Sequence, residues 1–400
     1  MQAEERTVIR SDSSSQPPTG SPSVHLDALR GFAALSVLLY HWRFAFFAIP
    51  DHLHQRPLLR AAYFVCGLGQ EWVIVFFVLS GYLVGGSVLR SVAGGRWSQR
   101  SYALARVTRL YVVLLPALLL GGVLDWVGMH LAGTGDIYNG NTGLTSISRD
   151  VHTSLTLPTL VANSLFLQTI KLPGLGGYSA SVFGTNGPLW SLSNEFWYYL
   201  AFPLLVVLVA KGRTNWVRGA CGLGLLVWVW FVGSGIALLG ITWMMGGLVA
   251  ILPPVPVLGP LARGVAILGA FALFGAAFAL LYHQGGSFTN NLVLGSAVTL
   301  LIWVTVHCAT SPLPLWYSSV AQRSARSSYT LYLTHFPLLV FLKASLHLPC
   351  AIPSWHALLV GAGILGVVVL YSQAIYELCE KHTDAVRNWI KPYVLRAKAT

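Results

Sequence analysis

The chain has 400 residues, of which 55% are hydrophobic and 10% charged, with a mean hydropathy of +0.64. Soluble domains carry roughly 25% charged residues, so this chain lacks the polar surface to cover a water-facing globule of its size. Its net charge of +12 would suit a nucleic-acid binder if it were soluble. The basic residues stand between apolar runs, however, so the charge is read as membrane topology and no nucleic-acid partner is expected.

Residues 1–24 are polar, include the run Ser-Asp-Ser-Ser-Ser-Gln-Pro-Pro, and are expected to form a disordered tail. A membrane span needs ~20 mostly apolar residues. Spans are predicted near 29–49, 72–92, 107–128, 188–209, 215–233, 236–252, 261–282, 291–310, 328–346 and 356–378. The fifth and sixth are divided only by a Gly-Ser-Gly turn. The expected fold is therefore an all-α integral membrane bundle of about ten transmembrane helices over residues 25–380, with no separate soluble domain and a basic cytoplasmic tail at 381–400. Residues 129–187 are the extracytoplasmic loop. Their apolar patch, Leu160 to Ile170, is too short to span and suits a re-entrant or interfacial position.

If the N-terminus is cytoplasmic, 19 of the 25 Lys and Arg residues fall on the cytoplasmic side, and only Arg43, Arg56, Arg60, Arg149, Lys171 and Lys343 do not. That asymmetry follows the positive-inside rule, with both ends inside a bacterial cytoplasmic membrane. The five cysteines are scattered, with no C-x-x-C pair and no Cys/His cluster at zinc spacing. They are read as small buried hydrophobes, and no metal is expected.

Ionisable groups within spans are costly and so mark functional candidates. His41 lies eleven residues beyond Arg30, ~16 Å deeper in the bilayer along a helix. Glu195, in Leu189-Trp-Ser-Leu-Ser-Asn-Glu, enters from the opposite side and reaches a similar level. A carboxylate that orients an imidazole and stabilises its protonated form is a recurring catalytic pair. His335 sits just before Pro337, where a freed backbone carbonyl could hold its N–H. Arg106 and Arg109, at i and i+3, share a helix face and with Arg30 would form a fork for phosphate oxygens. Ser80, in Phe76-Phe-Val-Leu-Ser-Gly-Tyr-Leu83, lacks a nucleophile elbow. With Gly81, Gly85 and Gly86 it reads as a close-packing surface. Asp125 and the pair His52/His54 have ordinary structural readings.

Five stretches then match a known pattern in order. They are His25-Leu-Asp-Ala-Leu-Arg-Gly-Phe-Ala-Ala-Leu35 with Tyr40 and His41, Phe76 to Leu83, Arg106-Val-Thr-Arg-Leu-Tyr111, Leu189 to Tyr199, and Ser328 to Pro337. Together they resemble membrane acyltransferase family 3, whose bacterial members are often O-acetyltransferases of cell-surface polysaccharides. The resemblance implies transfer of an acyl group, usually acetyl from cytoplasmic acetyl-CoA, to a hydroxyl of a carbohydrate or similar acceptor. Polysaccharide, a lipid-linked sugar, peptidoglycan and a small natural product such as a macrolide all fit that description. Arg30 and His41 match the family's essential pair, and Arg106 and Arg109 its donor-associated R-x-x-R. Trp190, Ser191 and Glu195 fall in its W-S-L-x-x-E stretch, and Tyr329, Tyr332 and His335 in its S-Y-x-x-Y-L-x-H pattern. Many members have two adjacent acidic residues where this chain has Glu195-Phe196, and many carry a separate soluble domain after the membrane part.

The expected mechanism seats acyl-CoA phosphates on Arg30, Arg106 and Arg109 and uses His41 as general base, with Glu195 orienting it or binding the acceptor. Trp190, Ser191, Tyr329, Tyr332 and His335 are expected to line the substrate site. The rival reading is a transporter or flippase of a lipid-linked or small polar substrate. The topology has its own test: reporter fusions after Gly95, Arg213 and Arg396 should read cytoplasmic and one near Asn141 external. A cytoplasmic signal at Asn141 would overturn the span count.

Overall fold

The computed structural model describes residues 21–51, 53–131, 133–140, 150–171, 179–253, 258–282, 284, 286–309 and 312–395. Most of the expected N-terminal tail (1–20), His52, residues 141–149 with Asn141 and Arg149, residues 172–178, and residues 396–400 lie outside the described residues. Among the described residues the chain is helical, and β structure is limited to isolated bridges such as Gln168–Ala180.

The helices are α1 (Ser21–Phe46), α2 (Pro57–Val65), α3 (Gly69–Ala93), α4 (Gln99–Met129), α5 (Leu157–Ser164), α6 (Leu189–Val209), α7 (Asn215–Val249), α8 (Pro260–Leu281), α9 (Phe288–Cys308), α10 (Leu315–Ser345), α11 (Trp355–Leu378) and α12 (Thr383–Leu395). Seven of them, with α11 counted through to Leu395, are long and apolar enough to cross a membrane. They make this an all-α integral membrane protein. α1 and α10 fall outside that tally because they carry polar side chains inward, among them Arg30, His41, Ser328 and His335. The outward faces of α7 and α8 expose Leu223, Leu226, Trp230, Leu261 and Leu268, as lipid-facing helices do.

Within α7 the chain reverses direction. Gly233 has φ 78°, a conformation that glycine adopts without a Cβ penalty. Before it, Arg218 Nε bonds Leu208 O and Trp197 meets Phe231, so this half runs antiparallel to α6. After it, Tyr198 bonds Ile236 O and Phe202 meets Trp243, so the second half runs alongside α6 in the same direction. The Gly-Ser-Gly sequence is thus a turn between two helices, as its composition suggested.

α1 makes its most extensive contact with α10, and the two run parallel. His25 bonds Tyr317 at one end and His41 bonds His335 further along. Gly31 has no room for a Cβ beside Ser324, so the helices approach closely there. Pro337 cannot donate to the carbonyl four residues back. That carbonyl, Leu333 O, instead accepts from Asn186 Nδ2 at 2.9 Å.

The loop before α6 is folded onto the bundle. Asp125, 1% exposed in α4, accepts from Thr185 N at 2.7 Å and Thr185 Oγ1 at 2.8 Å. The patch Leu160 to Ile170 is a short helix followed by a buried turn, and it does not span. Phe166 adopts φ 57° and is held there by stacking on Phe196, with its carbonyl taking bonds from Ser193 and Trp197. Residues beyond the last span include α12, which packs against α4.

Among the described glycines, the tightest backbone contacts join α3 to α7. A Cβ on Gly81 would overlap Trp243 O, and one on Gly246 would overlap Val78 O. The small-residue surface expected at Gly81 is therefore a backbone-to-backbone contact. Gly246→Ala should lower stability by about 1–3 kcal/mol through overpacking. Gly264→Ala, at a site where a Cβ meets nothing within 4 Å, should not. Thermal unfolding in detergent separates the two.

Candidate active site

A cavity of about 180 Å³ lies between α1, α3, α4, α6 and α10. Its walls bring together Arg30, Arg106, Arg109, Ser191, Glu195, Tyr329 and Tyr332 from stretches far apart in sequence. Phe76, Phe77, Leu79 and Leu192 supply an apolar wall, and Ser80 and Tyr199 add hydroxyls. Seven of the ten sequence-predicted site residues thus line one space.

The arginines differ in their partners. Arg30 Nη2 reaches Asp27 Oδ1 at 3.4 Å, and its Nε has no hydrogen-bond partner. Arg106 Nε is likewise unpartnered, and its guanidinium stands 5.8 Å from the Tyr199 ring centre and 5.9 Å from that of Tyr102. Arg109 Nη1 donates to Glu380 Oε1 at 2.5 Å and lies 5.0 Å from the Tyr329 ring centre. The other Glu380 oxygen accepts from Thr330 N and Thr330 Oγ1 at 3.1 and 2.5 Å. Guanidinium groups on a cavity wall suit carboxylate or phosphate oxygens.

Glu195 has partners other than His41. Its Oε1 accepts from Ser80 Oγ and from Tyr199 OH, each at 2.5 Å. Trp243 Nε1 donates to Ser80 Oγ at 3.1 Å. This network ties α3, α6 and α7 together beside the cavity, just before the π-helical turn Gly81–Gly85.

His41 does not line the cavity. Its Nδ1 lies 3.0 Å from His335 Nε2, and His335 Nδ1 lies 2.9 Å from Leu331 O. A carbonyl only accepts, so His335 Nδ1 carries a proton. Neutral His335 then offers the lone pair of Nε2, which His41 Nδ1–H must fill. That leaves His41 Nε2 as the unprotonated nitrogen of the pair, a tautomer assigned from the bonding pattern. The sequence suggested Glu195 as the orienting partner of His41; the structure gives that place to His335. It also sends the His335 N–H to Leu331 O, since the carbonyl freed by Pro337 is occupied by Asn186.

Tyr332 stands beside both centres. It lines the cavity, and its ring centre is 6.1 Å from that of His335. Its hydroxyl is fixed by Ser191 Oγ at 2.7 Å and Pro188 O at 3.3 Å. Trp190 does not line the cavity but stands behind Phe77, ring centres 6.2 Å apart. Glu380, Asp27, Trp243 and Tyr199 are site neighbours that sequence reasoning did not single out. Glu380 is flanked by Glu377 and Lys381 and reads as a solvated charge run. The structure makes it 4% exposed.

This geometry accompanies a family match. The chain belongs to the acyltransferase 3 family: the model described as "Acyltransferase domain" matches residues 24–376, nearly the whole of it. The family match favours the acyltransferase reading over the transporter one. A curated relative, "Acyltransferase MdmB" from Streptomyces mycarofaciens, is 29% identical over 196 residues, 49% of this chain and 42% of that protein. The match thus spans less than half of the relative's length. No solved structure matches the chain significantly.

The Arg109–Glu380 pair has a consequence for mutagenesis. Arg109→Ala leaves a nearly buried carboxylate uncompensated and should destabilise the protein by roughly 3 kcal/mol. Adding Glu380→Gln to it should restore much of that loss, because the uncharged amide can still accept from Thr330. Thermal unfolding of the single and double variants checks the coupling, and simple additivity would refute it.

Proposed function

We propose that this acyltransferase takes an acyl group, acetyl in the simplest case, from cytoplasmic acyl-CoA and moves it to a hydroxyl of a carbohydrate or similar acceptor, with His41 as general base. The observation that carries this reading is the convergence of Arg30, Arg106 and Arg109 on one apolar-walled cavity whose lining residue Tyr332 lies beside His335 of the His41–His335 pair. The phosphates of CoA dock on the guanidinium groups, Arg106 foremost because no carboxylate neutralises it among the described residues. The neutral pantetheine arm extends along Phe76, Phe77 and Leu79 and brings the thioester toward Tyr332. His41 Nε2 holds the lone pair that takes the acceptor's proton. His335 fixes the His41 ring and shares the charge that forms on it.

The proposed topology has ten spans in a cytoplasmic membrane with both ends cytoplasmic. Counting α7 as two helices and adding α1 and α10 to the apolar set gives that number, and the parallel run of α1 and α10 agrees with it. The arginine end of the cavity then faces the cytoplasm, where acyl-CoA resides, and the histidine pair faces the outer leaflet. A cell-envelope polysaccharide or another extracytoplasmic hydroxyl compound is the acceptor in this scheme.

The donor and base assignments are tested separately. Arg106→Ala should raise the apparent KM for acetyl-CoA about tenfold or more with little change in unfolding temperature, the loss of a charge-assisted contact. Arg106→Lys should recover part of it. His41→Gln keeps a polar side chain that cannot take a proton, so turnover at saturating donor should fall ~10²–10⁴-fold while donor binding survives. Near-native turnover by purified His41→Gln would remove the histidine from the chemistry.

A further inference from the structure

We propose that Ser80 accepts the acyl group covalently, so that donor and acceptor occupy the cavity in turn. The proposal rests on acyl-CoA docking there. Its first support is position: Ser80 stands on the wall of the same cavity as Arg30, Arg106 and Arg109, where the donor docks.

The second support is the set of groups already around the Ser80 oxygen. Ser80 Oγ forms part of the cavity wall and donates to Glu195 Oε1 at 2.5 Å, so a base already holds its proton. Trp243 Nε1 donates to the same Oγ at 3.1 Å, which favours the charge left on that oxygen as its proton moves to Glu195. Tyr199 OH bonds the same carboxylate oxygen and fixes its position. Trp243 is itself fully buried and is pinned by the backbone contact of Gly81 with its carbonyl. Ser80 is also the last residue before the π-helical turn Gly81–Gly85, an irregularity that recurs at functional sites. His41, by contrast, does not line the cavity and is paired with His335. A thioester seated in the cavity meets Ser80 first.

In the first half-reaction Ser80 Oγ attacks the thioester carbonyl while its proton passes to Glu195. The tetrahedral intermediate collapses, the C–S bond breaks, and the CoA thiolate departs with the proton from Glu195. An ester remains on Ser80. In the second half-reaction the acceptor hydroxyl loses its proton to His41 and attacks the ester carbonyl. The bond to Ser80 Oγ breaks, that oxygen takes a proton from cavity water, and His41 returns its own to water.

The test uses purified full-length protein in detergent with acetyl-CoA and radiolabelled CoA, and no acceptor. An acyl-enzyme route exchanges the label into acetyl-CoA, and mass spectrometry finds an acetyl increment on the peptide that contains Ser80. Ser80→Ala should lose exchange by at least ~100-fold, as removal of a nucleophile does, while it still binds acetyl-CoA by calorimetry. Ser80→Cys should retain exchange and carry a thioester cleaved by neutral hydroxylamine, which keeps the test open if the alanine variant folds poorly. Gly264→Ala, where a Cβ meets nothing within 4 Å and which lies outside the cavity lining, should exchange normally. Absence of exchange by wild-type protein that binds acetyl-CoA, or undiminished exchange by Ser80→Ala, overturns the proposal and leaves the donor site standing. Failure of wild-type protein to bind acetyl-CoA overturns the donor site and the proposal with it.

Discussion

Helices α1 and α10 run in the same direction and touch from His25–Tyr317 to His41–His335. In hydrocarbon a polar side chain without a partner costs several kcal/mol, so two helices that each carry such groups are driven together to satisfy one another. Small residues make this possible, with Gly31 set against Ser324 and Gly121, on the neighbouring α4, set against Pro337. Once the pair has formed, Arg30 and the Ser328–Tyr332 segment stand on the same cavity. The histidines meet one level further along. The site follows from this single packing choice.

Around that pair the protein builds two polar networks of different character. One is the chain Trp243–Ser80–Glu195–Tyr199, in which a single carboxylate oxygen takes two hydroxyl donors. The other runs from Arg109 through Glu380 to the backbone and side chain of Thr330. The second makes the segment after α11 part of the site, because Glu380 places Arg109 and neutralises it. Arg106 keeps unspent donor capacity beside it, and this difference between arginines three residues apart is set by their neighbours alone.

In the proposed function the arginines receive the donor and the histidine pair removes the acceptor's proton. Tyr332, hydrogen-bonded to Ser191 and Pro188, lines the cavity and lies beside His335, so it stands next to both groups.

Much of the fold was readable from the chain by itself, because hydrocarbon imposes a simple rule: apolar runs of sufficient length become spans. The helix positions, the Gly-Ser-Gly reversal at Gly233 and the short patch at Leu160–Ile170 all follow from that rule and from local backbone chemistry. So did the rarity of intramembrane charge, which singled out Arg30, His41, Glu195 and His335. Partnership was a different matter. Nothing in the spacing told that His41 would meet His335 rather than Glu195, since both lie at comparable depth and only the parallel contact of α1 with α10 decides. Glu380 was hidden in a run of surface-like charges, Trp243 in an apolar stretch where one indole resembles its neighbours, and Ser80 in a small-residue motif that packing alone explains. Each acquired its place from side chains more than a hundred residues away. Sequence determines which groups must be buried; tertiary structure decides which of them satisfy one another, because that depends on which helices touch.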